Sequence, residues 1–272
     1  MTIHGLAGLP RSGSTLLGNV LVQNPDIFVS GSSPLVEIEA GISRIISQAP
    51  DVVAELAGDS LGERVVAYGR YRAAMAAFAE AYYADRTASP VIFDKGRLWS
   101  NQAVLMRSIF PDSRIVVTVR DPRNIVASIE RQNRATGIFT SHTGQDELRA
   151  AASAIMSPNG SVGLFIRGIE DLLIRELPNV TFVRFESFLA HPQGQIDAIY
   201  ASLGLAPFKH DFVNVTNAAP DVDAVYRYKF PHDGSGTIDP ERAGKWEGTL
   251  HPGLAAEIAG AWPHFMQAFG YS

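Results

Sequence analysis

Apolar residues along this chain fall into short, unbroken runs separated by longer stretches with helical periodicity. Ile3–Leu9, Ile27–Ser30, Val91–Phe93, Ile115–Val119 and Val180–Phe185 are continuous rather than alternating. That is the pattern of strands covered on both faces, and so of a parallel sheet. Ser14–Gln23 carries Leu16, Leu17, Val20 and Leu21, and Asn124–Asn133 carries Ile125, Val126 and Ile129. Ser161–Glu176 carries Val162, Phe165, Ile169, Leu172 and Leu173, while Ile196–Leu203 and Leu254–Phe269 are also helix-like. Strand alternating with helix predicts an α/β domain, a central parallel sheet flanked by helices. Two segments depart from that alternation. Pro34–Arg86 is Ala-rich and reads as a long helical insertion, and Thr136–Gly160 is rich in Gly, Ser, Thr and Asn. The chain therefore reads as a single domain over 1–272, with insertions at about 34–90 and about 135–160 that line one wall of a cleft.

Composition narrows the function classes. At 46% hydrophobic and 19% charged, 272 residues can bury a sizeable core, and the signature of disorder is absent. No apolar run approaches the ~18 residues of a membrane span. Met1-Thr2-Ile3-His4-Gly5 has neither the basic nor the apolar part of a signal peptide, so the expected location is cytoplasmic. Without cysteine there are no disulfides, thiolate metal sites or thiol nucleophiles. The seven histidines show no metal-ligand spacing. A net charge of −5 argues against nucleic acid as a partner. One stretch runs against that balance: Arg114, Arg120, Arg123, Arg131 and Arg134 are opposed only by Asp121 and Glu130.

The sharpest motif is Gly8-Leu9-Pro10-Arg11-Ser12-Gly13-Ser14-Thr15, between a strand-like run and a helix-like one. In that context backbone N–H groups converge on an anion, and glycines let it come close. The spacing matches the phosphate loop of nucleoside triphosphatases, except that Ser14 stands in the lysine position and the cation sits at Arg11. A triphosphatase or kinase, with Asp94 on Mg²⁺, is thus an alternative that lacks its lysine. A plain Gly/Ser turn before a core helix is the other reading.

Residues 8–17, Gly-Leu-Pro-Arg-Ser-Gly-Ser-Thr-Leu-Leu, resemble the 5′-phosphosulfate loop of sulfotransferases that use 3′-phosphoadenosine 5′-phosphosulfate (PAPS). Asn24-Pro25-Asp26 also resembles the bacterial and tyrosylprotein branches of that family. The resemblance implies a P-loop-containing three-layer fold and assigns Pro10, Arg11, Ser12, Gly13, Ser14 and Thr15 to the phosphosulfate. Further on, Ile115–Val119 leads through Asp121-Pro122 into a helix start, with Arg120 at the strand end and Ser128 eight positions later. Both can reach one dianion, the Arg with a planar fork of donors and the Ser with a hydroxyl. This pair is similar to the family's 3′-phosphate motif. By the same resemblance, Gly234–Leu250 is a nucleotide-covering loop with Arg242 and Lys245 as its cations. Val183–Leu189 resembles an Arg-Tyr-Glu-x-Leu segment with Phe185 in place of the Tyr.

The resemblance puts Lys95, with Arg11, at the leaving group. It leaves the base open, because Arg97 stands where many members have His, and Ser32 and Ser33 stand where others have Glu. Ser33-Pro34 reads as an N-cap and first helical residue, which would place Glu37 one turn along on the same face. Glu37 is therefore the expected base, with His142 next. The implied reaction moves a sulfuryl group from PAPS to a hydroxyl or amine acceptor, small molecule or peptide. It leaves adenosine 3′,5′-bisphosphate (PAP) and needs no metal. A non-catalytic protein that binds PAP is the third reading, and an oligomer is left open.

Overall fold

The computed structural model describes residues 1–58, 60–136, 144–218 and 234–271. Five strands pair in parallel: β1 (Thr2–Gly8), β2 (Ile27–Ser32), β3 (Val91–Lys95), β4 (Ile115–Val119) and β5 (Val180–Arg184). Their order across the sheet is β2-β3-β1-β4-β5. The register aligns the carboxyl ends that matter, with Leu6 beside Lys95 and Gly8 beside Thr118.

Helices fill the connections. α1 (Ser14–Leu21) leaves β1, and α2 (Leu35–Gln48), α3 (Pro50–Ala57) and α4 (Leu61–Tyr83) lie between β2 and β3. A short turn of helix, Arg97–Ser100, and α5 (Ala103–Ile109) lead to β4. α6 (Pro122–Thr136), α7 (Gln145–Met156) and α8 (Gly163–Arg175) precede β5. After it come α9 (Phe185–Ala190), α10 (Pro192–Leu203), α11 (Pro252–Ala261) and α12 (Pro263–Ala268).

The strands read as continuous apolar runs because both faces are covered. Leu6, Phe93 and Val116 point to one face, where they pack with Leu17 and Val20 of α1 and with Phe188, Ile196 and Ile199. Ile3, Ile92, Ile115 and Val117 point to the other, against Val36, Tyr83, Ile125, Ile166, Ile258 and Phe265. α1 and α6 thus leave the neighbouring strands β1 and β4 toward opposite faces. That divergence opens a crevice at the carboxyl edge of the sheet, the usual ligand position in such folds.

Three expectations change in detail. The stretch 34–86 is three helices, broken around Pro50 and Gly58, and α4 begins at a capping box in which Ser60 and Glu63 bond each other's backbone N–H. The Gly/Ser-rich stretch 136–160 holds a regular helix, α7, because Asp146–Ala154 is made of good helix formers. The single C-terminal helix expected over 254–269 splits at Pro263, which lacks an N–H and keeps Trp262 out of helical geometry. Among the described residues no helix is long and apolar enough to cross a membrane.

Candidate active site

The loop after β1 is shaped by what it must pass. Leu9 N–H bonds the Thr118 carbonyl at 3.0 Å. The buried Ser12 hydroxyl lies 2.6 Å from both the Leu9 carbonyl and Thr118 Oγ1, stitching the loop to β4. Arg11 has φ 61°, a left-handed backbone that a non-glycine residue adopts at a cost. Its side chain reaches α6, where Nε donates to Ser128 Oγ at 3.3 Å. Gly13, φ 84°, lies flat on Phe185; a Cβ there would sit 2.3 Å from the ring, so only glycine fits. No side chain caps α1 and its first turn holds no acid, so the amides around Ser14 and Thr15 face the crevice as anion donors. Lys95 arrives from β3, with Nζ 2.8 Å from Thr15 Oγ1 and its own N–H held by Ser30 Oγ at 2.8 Å.

The second motif meets the first. Arg120, 4% exposed, donates through Nη1 to the Arg11 carbonyl at 2.6 Å and through Nη2 to the Ala243 carbonyl. Its guanidinium lies over the Phe185 ring at 4.9 Å, and its Nε has no hydrogen-bond partner. Burial, with Arg11 and Arg131 nearby, lowers its pKa to about 10, although Glu186 acts the other way. Burial lowers that of Arg11 as well. Arg131 donates to the Lys245 carbonyl and to Thr249 Oγ1, both at 3.0 Å. Gly244, φ 60°, sits between these cations: a Cβ would lie 3.1 Å from Arg131 Nη2 and 3.7 Å from Arg120 Nη2.

Three guanidiniums therefore converge on neutral acceptors. The nearby acids are occupied elsewhere, Asp121 by Arg123 at 2.7 Å and Glu186 by the Asp121 N–H and the Tyr271 hydroxyl. A dianion is the natural complement of such a group. The residues thus fit a nucleotide with one phosphate here and another at the β1 loop.

The remaining expected residues fall as follows. Pro10 and Ser14 lie in the loop with Arg11. Arg242 turns to the Ser235 and Thr237 carbonyls, at 2.9 and 3.0 Å, and closes its own loop. Lys245 meets the site through its carbonyl. Arg131 was not singled out as a site residue; the signal was its place in the basic stretch, three residues past Ser128 and so on the same helix face. His142 lies outside the described residues.

On the other side of β3, Asp94 is 0% exposed and accepts from the Tyr83 hydroxyl and, at 2.7 Å, from Trp99 Nε1. Ser33 is a further donor, and burial raises the Asp94 pKa. This carboxylate fastens α4 and the Arg97–Ser100 turn to the sheet, which weighs against the alternative reading of Asp94 as a Mg²⁺ ligand. Among the described residues no group of three or more His, Asp or Glu could hold a metal ion.

Ser33 Oγ accepts from Leu35 N–H at 3.1 Å, but Pro34, not Ser33, takes the N-cap position and α2 begins at Leu35, one residue later than expected. Glu37 is exposed; partial burial and Asp94 raise its pKa, while its own backbone and Arg97 lower it. The Arg97 guanidinium lies over the Phe165 ring at 5.5 Å. Glu39, which the sequence reading passed over, is 0% exposed, and neither carboxyl oxygen has a hydrogen-bond partner. Burial and then Asp94 push its pKa up to about 7.

A parallel sheet of order β2-β3-β1-β4-β5 with a strand–loop–helix anion loop after β1 at its carboxyl edge is the arrangement of the P-loop class of nucleotide-binding folds. Within that class the description "Sulfotransferase family" matches residues 6–210, and the chain belongs to that family. It is 25% identical over 218 residues to nodulation protein NoeE of Sinorhizobium fredii (strain NBRC 101917 / NGR234), covering 74% of this chain and 50% of that one. The chain thus spans about half the length of this curated relative. Its fold is similar to the sulfotransferase domain of the Synechococcus PCC 7002 olefin synthase, with TM-score 0.58, 19% identity, and 100% and 94% of the two chains covered. Mouse sulfotransferase SULT7A1, solved with PAP, aligns with TM-score 0.53 and 13% identity over 98% and 84%.

Proposed function

We propose that this chain transfers a sulfuryl group from PAPS to a hydroxyl or amine acceptor by in-line displacement, releasing PAP. The observation that carries the reading is the joining of two distant motifs: Arg11 bonds Ser128, and Arg120 bonds the Arg11 carbonyl. One ligand with two anionic ends, 5′ and 3′, accounts for both motifs. The α1 amides, Ser12–Thr15 and Arg11 hold the phosphosulfate end. Arg120 and Ser128, with Arg131, hold the 3′-phosphate. Arg242 joins them only by leaving its own loop.

In the reaction the acceptor atom attacks sulfur while the bond from sulfur to the bridging oxygen breaks. Negative charge grows on that oxygen, where Lys95, Arg11 and the α1 amides stabilise it. Residues 1–272 act as one sulfotransferase domain. The helices between β2 and β3 and the segment around α7 form the acceptor side for a small molecule or peptide, in the cytoplasm and without a metal. A triphosphatase reading is weaker, because Ser14 replaces the lysine and Asp94 is fully engaged.

Thermal denaturation tests this. PAP fills both anion sites and ATP only one, so PAP should raise Tm well above the shift given by ATP, with or without Mg²⁺. At a hundredfold excess over Kd the linkage amounts to about 2.7 kcal/mol. Equal stabilisation by Mg-ATP would overturn the proposal.

A further inference from the structure

Glu39 is a fully buried acid whose carboxyl oxygens have no hydrogen-bond partner. Leu35, Val36 and Glu39 form the buried side of α2. An unpaired carboxyl works against folding in that place, where an apolar side chain would stabilise. The helix that carries it is tied to the transfer centre. Ser33 N–H bonds the Lys95 carbonyl at 3.0 Å, fixing the start of α2 to the residue whose Nζ meets Thr15. Val36 rests on Gly96, where a Cβ would lie 2.7 Å from Val36 Cγ1. Glu39 follows Leu35 by one turn, about 6 Å along the axis. Glu37 is about 200° round the helix from it.

We infer that Glu39 is the base that takes the proton from the acceptor's hydroxyl or amine, an assignment that rests on the sulfuryl-transfer reading. The acceptor's lone pair forms the bond to sulfur. The bond from sulfur to the bridging oxygen breaks, its electron pair leaves with PAP, and the acceptor's proton passes to the Glu39 carboxylate. The charged group that acts on it is Asp94 from β3, which in turn faces Tyr83 at the end of α4 and Arg86 just beyond it, while Glu37 on α2 faces Asp94 and Arg97. Asp94 has donors on both oxygens and Glu39 has none, so below about pH 7 Glu39 holds a proton when no acceptor is present. An approaching O–H or N–H supplies the missing donor and lets the carboxyl ionise. Past Glu39, α2 has no buried side chain and α3 has none. These helices can swing outward without opening the core, which gives the acceptor its way in.

The test has two readouts on the full chain. Infrared spectra should show the band of a protonated carboxyl at pH 6 that fades as pH rises through about 7 and is missing in Glu39→Gln. Turnover of radiolabelled PAPS with 2-naphthol, and with water alone, should rise with pH in the same range. Glu39→Gln should lower it by ~30-fold or more and abolish that rise, and Glu39→Asp should recover part of the rate. PAP should still raise Tm in both variants, which separates failure of this assignment from failure of the nucleotide site. No protonated carboxyl at pH 6, or an unchanged rate and pH profile in Glu39→Gln, overturns the assignment. So does a pH limb that disappears in Glu37→Gln instead. If wild type neither binds PAP nor consumes PAPS, the underlying sulfotransferase reading falls, and the assignment with it.

Discussion

Arg120 bonds two carbonyls, lies over a phenyl ring and keeps one buried N–H unpartnered, so its removal affects more than charge. Arg120→Ala should weaken PAP binding by roughly 2–4 kcal/mol in calorimetry, because a dianion loses its most buried cationic partner. Lys95 differs in kind. Its ammonium is held by Thr15 at the α1 N-terminus, where in the proposed reaction charge grows only as the sulfuryl group leaves. Lys95→Ala should therefore lower kcat by ~100-fold while PAP affinity changes little. Glu39 makes a prediction about stability whose sign follows from its shifted pKa. The unfolded value is 4.5 and the folded one about 7, so the folded chain holds the proton more tightly. The penalty is absent below the lower value, grows as pH rises between the two, and is constant above. By linkage it reaches about 3 kcal/mol. Glu39→Gln should thus raise Tm at pH 8 and change it little at pH 5, as calorimetric scans at the two pH values would show.

At the scale of elements, the strands were legible because burial on both faces leaves unbroken Val and Ile runs. The β1 loop was legible because its glycines and Ser12 are fixed by local chain geometry. α7 was hidden by the Gly, Ser and Asn residues around it, and the break at Pro263 by the apolar residues on both sides. Arg242 and Arg131 show a different limit. Both were visible as cations, but which one meets Arg120 depends on how the turn after the short helix Pro240–Ala243 folds back. Glu39 was illegible for a related reason: the buried side of α2 is set by where α4 and Trp99 land, and no local spacing records that. The turn itself can be tested. Gly244→Ala forces a left-handed backbone on alanine and puts a methyl against Arg131, so it should cost about 1–2 kcal/mol of stability and weaken PAP binding several-fold. Thermal scans with and without PAP would measure both effects.

At the scale of the molecule, the sheet order sends α1 and α6 to opposite faces and brings their starting ends together. Two stretches separated by about a hundred residues thus become the two ends of one site, and the 240–250 segment closes over the second end. The family and the sheet were readable from the chain. The clustering of Arg11, Arg120 and Arg131 was only half readable, since two of them were expected and the third was supplied by the path of α6. That cluster should make the protein an ion trap for its own buffer. Small oxyanions of two or more charges should enter it, so apparent PAP affinity becomes a property of the solution as well as of the chain. Titrations in phosphate should give weaker PAP binding than titrations in chloride at matched ionic strength, and Arg131→Ala should shrink the difference. Matching values in the two buffers would mean that the three arginines do not act as one anion site.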